Sequence, residues 1–215
     1  MQRLRFCGLA AIVATTLAGN QAAANQFANP SFEDPITYDG PPFVGSWEGF
    51  SGNFGGGSSS AANSSVMPRS GAGHIDLTIT SQSGFAGVFQ DVPNLTPGST
   101  WTYSGWHKAA SDPYNVVSEV RIEWRDSVSD TEITRTPNSL PVAGSDYTPF
   151  SLTAIVPPGA DTARAVYALA TFATIPPAGG TVFLDDFSFV VPEPSALGLL
   201  AVGSVALARM RRRRR

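Results

Sequence analysis

Residues 99–108 read Ser-Thr-Trp-Thr-Tyr-Ser-Gly-Trp-His-Lys. Successive side chains of a strand point to opposite faces. Trp101, Tyr103, Gly105 and His107 would therefore share one face, and Thr102, Ser104, Trp106 and Lys108 the other. Residues 116–127 repeat the pattern, with Val120, Ile122 and Trp124 set against Arg121, Glu123 and Arg125. The apolar sets predict a buried face and the charged sets an outward one. On this reading His107 and Trp124 are core residues, as is Trp101, and Trp106 stands on the polar face.

Working outward, the same texture predicts strands over 73–80, 84–92, 148–156, 162–171 and 180–190, with 27–32 and 44–50 as two more. Turns are marked by Pro97-Gly98, by Pro157-Pro158-Gly159 and by residues 176–180. No useful stretch of the middle region has a helical period, and no internal repeat is visible. Many short strands cut by Gly and Pro predict an all-β fold, an antiparallel β-sandwich or barrel. Residues 52–65, rich in Gly, Ser and Asn, read as a mobile loop.

Composition agrees. Only 14% of the 215 residues are charged, and 21 Gly and 17 Pro suit strands and turns better than helices. The net charge of -3 hides an asymmetry. Arg3, Arg5, Arg209 and Arg211 to Arg215 sit at the two ends, whereas Glu193 is the one acid there. The middle region therefore carries about -10, which repels nucleic acid and excludes a nucleic-acid role. The single cysteine, Cys7, lies near the N-terminus, so the middle region has no disulfide or thiolate chemistry.

The ends read as processing segments. Met1–Arg5 is a basic start, residues 6–17 are apolar and small, and Ala22-Ala23-Ala24 is an A-x-A cleavage site between Ala22 and Ala24. Residues 1–24 are thus expected to be a signal peptide with an N-terminal signal helix, handled by the Sec machinery. A retained membrane helix is the plainer alternative, but the run is short for a span. At the other end, Val191-Pro-Glu-Pro194 precedes an apolar run over 195–208 and a basic tail over 209–215. Prolines end the strand before them, the apolar run can enter a bilayer as a C-terminal transmembrane helix, and the arginines stay on the cytoplasmic side.

Pro192-Glu193-Pro194, the apolar run and the terminal arginines together resemble the PEP-CTERM sorting signal, covering 191–215. The resemblance implies export, a transient inner-membrane anchor, and recognition by an exosortase, an integral-membrane cysteine protease. Cleavage near Pro192–Pro194 would then release the domain to the cell envelope, surface or extracellular matrix. The plainer alternative is an ordinary C-terminal anchor.

The middle region has its own likeness. Asn29-Pro-Ser-Phe-Glu33 opens it, Gly87-Val-Phe-Gln90 leads to Leu95-Thr-Pro-Gly98 and Trp101-Thr-Tyr-Ser104, and Phe183-Leu-Asp-Asp-Phe-Ser-Phe189 closes it. This order, over 25–190, resembles the jelly-roll carbohydrate-binding modules of the family 4/9, galactose-binding-like type. The resemblance implies a structural calcium ion held by Glu33 and Asp185, with Asp186 beside them.

Sugar sites pair an aromatic plate with hydrogen-bonding side chains. Candidates are Trp106, Trp47, Tyr114 and Tyr38, with Arg121, Glu123, Arg125 and Gln90 as polar partners. His74 and His107 are the only histidines, and no nucleophile-elbow, zinc-helix or phosphate-loop motif occurs. The expected function is therefore non-catalytic binding of extracellular polysaccharide. A structural or adhesive matrix protein is the main alternative, and a secreted hydrolase a distant one.

Overall fold

The computed structural model describes residues 24–41, 43, 46–54, 56–80, 83–110, 115–170 and 179–192. The expected signal helix and transmembrane helix lie outside the described residues, as do Ala22, Tyr114, Glu193 and Pro194. No helix among the described residues is long and apolar enough to cross a membrane.

Ten strands form, β1 (Glu48–Asn53), β2 (Ser59–Ser64), β3 (His74–Ile79), β4 (Gly84–Val92), β5 (Thr100–Ala109), β6 (Val117–Asp126), β7 (Thr131–Arg135), β8 (Thr148–Ile155), β9 (Thr162–Ala170) and β10 (Gly180–Val190), and seven of them, all but β1, β2 and β7, lie where the alternation placed them. They make two sheets with all strand pairs antiparallel. The first sheet has the order β1-β4-β9-β6-β7 and the second β2-β3-β10-β5-β8. This is a jelly-roll β-sandwich.

The two inner faces meet in one core. Ala86 and Val88 of β4, Val120, Ile122 and Trp124 of β6, and Tyr167 and Leu169 of β9 face Ile75 and Leu77 of β3, Tyr103 of β5 and Leu184 of β10. At one end the core is aromatic. Phe187 meets Phe150 at 5.2 Å, Phe32 at 5.1 Å and Trp47 at 5.4 Å. A Cβ at Gly105 would strike the Phe187 ring, so only glycine lets that ring lie on β5. Removing one such buried ring costs about 3–5 kcal/mol.

Three expectations change. Residues 27–32 are not a strand: Asn29 and Phe32 have φ of 48° and 54° around Pro30, which breaks extended pairing, although Phe27 and Phe32 are still buried. Residues 52–65 are not one loop but the end of β1 and the edge strand β2. Its small side chains carry no strand signal. The strand is held instead by six backbone register pairs with β3 and by the Tyr38 hydroxyl, which bonds both N–H and C=O of Ala61. Strand β7 escaped the alternation because all five of its residues are exposed.

His107 is in the core as expected, 1% exposed, with Nδ1 2.7 Å from the Tyr167 hydroxyl. Burial lowers its pKa to about 4. The unfolded chain takes a proton on this residue near pH 6.5 and the folded chain only near pH 4. Between those values the unfolded state binds more protons, so stability is lost as pH falls. His107 should account for a loss of about 3 kcal/mol between roughly pH 6.5 and 4. Urea unfolding at several pH values tests this: His107→Leu should flatten the pH dependence, and an unchanged slope would refute the assignment.

Candidate functional site: the outer face of the first sheet

The outer face of the first sheet is built in register across four strands. In one row Asp91 of β4, Arg164 of β9, Glu123 of β6 and Arg135 of β7 stand side by side. The next row sets Glu48 and Phe89 beside Val166 and Arg121. A third sets Phe50 and Gly87 beside Ala168 and Glu119, and a fourth sets Phe85 beside Ala170 and Val117. One side of the face is therefore aromatic, the other is charged, and the floor between them is small.

Geometry sharpens both sides. The Phe50 ring lies where a Cβ on Gly87 would be, so it rests directly on the β4 backbone. Phe43, Phe89, Phe50, Phe85 and Phe54 follow one another with centroids 4.9, 6.2, 6.3 and (Phe85 to Phe54) 5.7 Å apart. Phe54, at the end of the stripe, is 78% exposed. Arg164 joins the two sides. Its guanidinium donates to both Asp91 oxygens at 2.8 Å and lies 4.2 Å from the Phe89 centroid and 4.8 Å from that of Phe43. Burial works against its charge, but the Asp91 hydrogen bonds together with the charges of Asp91, Glu123 and Asp130 outweigh it and raise the pKa.

Arg121 is gripped by two acids of its own strand, Glu119 and Glu123, the latter at 2.8 Å. Arg125 reaches Asp130 at 2.8 Å, and Arg135 takes Glu132 through two bonds of 2.6 Å. A cavity of about 310 Å³ opens at the charged end, between Phe43, Phe89, Glu48, Asp91 and Asp130. The face thus offers flat rings for apolar contact and fixed, paired polar groups for hydrogen bonds.

Several expected site residues lie elsewhere. Trp47 is fully buried; its ring packs 4.8 Å from Phe27 and its Nε1 donates to the Asn29 carbonyl at 2.9 Å, so it is core. Gln90 is also structural, bonding both backbone groups of Ala28. The Tyr38 hydroxyl is taken by Ala61 of β2, as described above, while its ring lies over Gly49 of β1 and stays exposed. Trp106 does stand on an outer face, but that of the second sheet, so the sandwich separates it from Arg121, Glu123 and Arg125. The Arg69 guanidinium covers its ring at 3.8 Å and is paired with Asp186. Tyr114 lies outside the described residues.

The three carboxylates matched to calcium are not gathered at one point, and no group of three metal-ligating side chains exists among the described residues. Glu33 accepts the Ala72 N–H at 3.0 Å. Buried Asp185 accepts the N–H groups of Arg69 and Ser70 at 2.8 and 3.1 Å. Burial raises its pKa, against the Ser70 bond, and Asp186 adds to the rise. Asp186 sits in a β-bulge with φ of 50° and accepts the Ser31 and Ser70 hydroxyls at 2.7 Å. Burial opposes its charge, but the bonds from Ser70, Ser31 and Arg69 outweigh it and hold its pKa below the usual range. These oxygens face N–H, O–H and guanidinium donors, which tie down residues 69–73.

The stripe of phenylalanines was missed in the sequence. Its signal was there: alternation over 84–92 puts Phe85, Gly87, Phe89 and Asp91 on one face. The opposite set, Ala86, Val88, Gln90 and Val92, is smaller yet is the one that goes inward.

Residues 190–215 match the PEP-CTERM protein-sorting motif, which implies an exported protein sorted to the cell envelope or surface. The sandwich is similar to the enzymatically active domain of tailspike protein 4 of bacteriophage CBA120, with a TM-score of 0.57 and 15% identity over 78% of this chain. The chain spans 21% of that structure's length. It is also similar to a family 61 carbohydrate-binding module solved with β-1,4-galactotriose, with a TM-score of 0.50 and 13% identity over 79% of this chain and 99% of that one. A family 16 carbohydrate-binding module gives a TM-score of 0.50 and 15% identity over 77% of this chain and 99% of that one. At such identities the likeness shows the fold alone. No curated protein matches the chain.

The cover on Trp106 is directly testable. Arg69→Ala should raise acrylamide quenching of tryptophan fluorescence and cost about 1 kcal/mol of stability, the scale of a partly exposed ion pair with a cation–π contact. Quenching equal to that of the wild type would show that Arg69 does not shield the ring.

Proposed function

We propose that this chain is exported through a signal peptide over 1–24, sorted by an exosortase acting on its PEP-CTERM tail, and binds polysaccharide through residues of its 25–190 domain without catalysing a reaction. The observation that carries the binding reading is the phenylalanine stripe set beside an ordered ladder of paired charges on one sheet face. Sugar rings present C–H faces that stack on aromatic plates, and hydroxyls that both donate and accept. Phe50 and Phe89 supply the plates. Arg121, Glu119, Glu123, Asp91 and Arg164 supply donors and acceptors whose positions are fixed by their mutual bonds.

The same pairing favours a neutral glycan. Arg121, Arg125, Arg135 and Arg164 each already hold a carboxylate. A uronic acid or sulfate would have to displace an acid of the chain, against a domain charge of about -10. It also supports binding over catalysis, because a carboxylate locked to arginine is poorly placed to act as a proton donor.

The test is binding to a glycan array and to the producing organism's exopolysaccharide. Phe50→Ala and Phe89→Ala should each weaken binding roughly tenfold or more, Arg121→Ala should abolish it, and Trp106→Ala should leave it unchanged. Loss with Trp106→Ala alone would move the site to the second sheet. No binding to any glycan would favour a structural or adhesive matrix protein.

A further inference from the structure

Strand β3 pairs with β10 only as far as Leu184. Beyond the bulge at Asp185 and Asp186, one edge of β10 would be left with unpaired backbone groups, which a folded chain avoids. Residues 25–30 fill that edge. The Gln26 N–H donates to the Phe189 carbonyl at 3.0 Å, and the Phe189 N–H donates to Asn25 Oδ1 at 2.9 Å. Asn25 Nδ2 donates to the Phe187 carbonyl, and the Phe187 N–H to the Pro30 carbonyl, both at 2.8 Å. Phe27 anchors the segment, buried 4.8 Å from Trp47 and 5.7 Å from Phe189. On the other edge β5 pairs with Phe189 and Val190 through Tyr103 and Thr102. Phe189 is therefore held from both sides.

The sorting motif follows at once. Val190 ends β10, and Val191 and Pro192 are exposed before Glu193 and Pro194. Only Val191 stands between β10 and the motif that opens at Pro192, and one extended residue spans about 3.4 Å. Enzymes that read a linear segment take it extended and often pair with its backbone. One residue is too short a spacer for such an approach from the N-terminal side. The edge of Phe187–Val190 cannot pair with residues 25–30 and with a peptidase at the same time.

We propose that residues 25–30 are a latch on the sorting motif: processing of the tail requires the Phe187–Val190 end of β10 to open, and the latch sets how often it does. This rests on the reading of residues 190–215 as a processed sorting signal. Asn25 directly follows Ala24, where leader cleavage is expected, so the two processed ends of the chain meet in one patch. In the cleavage itself a peptide C–N bond near the motif breaks. The acyl carbon passes to the peptidase's nucleophile and then to water, and the amine leaves on the tail with the proton.

Asn25→Ala removes two of the latch bonds, so opening should rise roughly tenfold or more. Two readouts on the full chain test it: hydrogen exchange of the 185–192 peptides, and pulse-chase conversion to the cleaved form in exosortase-bearing cells. Both should accelerate by about that factor. A second variant, with six Gly/Ser residues inserted between Val191 and Pro192, should be cleaved faster than the wild type, and adding Asn25→Ala to it should change nothing. Faster exchange in Asn25→Ala with unchanged cleavage would overturn the latch, as would an insertion that brings no acceleration. The insertion decides alone if Asn25→Ala does not fold. A chain that is never cleaved, with or without the insertion, would overturn the sorting reading and the latch with it.

Discussion

The contact of Phe187 with the bare backbone of Gly105 is the point on which the rest of the fold depends. A strand's inward and outward positions alternate strictly, and a one-residue slip exchanges them. The bulge at Asp185 and Asp186 makes such a slip inside β10. Before it Val182 and Leu184 point inward; after it Phe187 and Phe189 do. The ring on Gly105 pins the second phase, and Trp47, Phe32, Tyr103 and Phe150 close around it. Because β3 begins at His74, level with the bulge, the rest of β10 has a free edge there, and residues 25–30 occupy it. Strand register, aromatic core and N-terminal docking are thus one constraint seen from three sides.

The two outer faces carry different chemistry for the same reason. On the second sheet the bulge brings two carboxylates together, and residues 69–73 are drawn over them, so Trp106 is covered by Arg69. On the first sheet β6 pairs with β9 without a shift from Val117 to Arg125, the slip at Trp124 and Arg125 falling only between β6 and the edge strand β7, and rows of side chains stay in register across β4, β9 and β6. Regular register lets opposite charges fall side by side and leaves the phenylalanines in a line.

Most of the fold was legible because burial is one-sided. Seven strands were visible in the alternation, and β4 and β10 begin and end where the residues alone put them. Where burial gives no contrast, the signal vanishes: β7 is exposed throughout, and β2 is made of Ser, Ala and Asn and is held by backbone bonds. The site was harder. Arg121 and Glu123 were assigned correctly to an outward face, but which aromatic stands beside them is a matter of sheet order, and linear alternation says nothing about that. Trp106 and Arg121 lie in strands adjacent in sequence yet in different sheets. In β4 the larger set, Phe85 and Phe89, turned out to be the outward one, because Ala168 and Ala170 of β9 and Gly87 of β4 itself make a floor with room for rings.

That arrangement bears on how a tethered domain would work. The tail leaves from β10, in the middle of the second sheet, paired through Val190 to Thr102 of β5. The phenylalanine stripe lies on the outer side of the other sheet, with the whole core between. The loop over 93–99 joins the Asp91 end of β4 to the start of β5, so the charged end of the face lies toward the tail. Phe85 and Phe54 lie toward the far end. A chain anchored through its tail would therefore present the aromatic end of the face outward and keep its opposite sheet toward the tether. On the proposed reading, a cut in the tail leaves the proposed binding face untouched, because that face lies across the core from β10. Cleavage would then change where the domain resides rather than what it can hold.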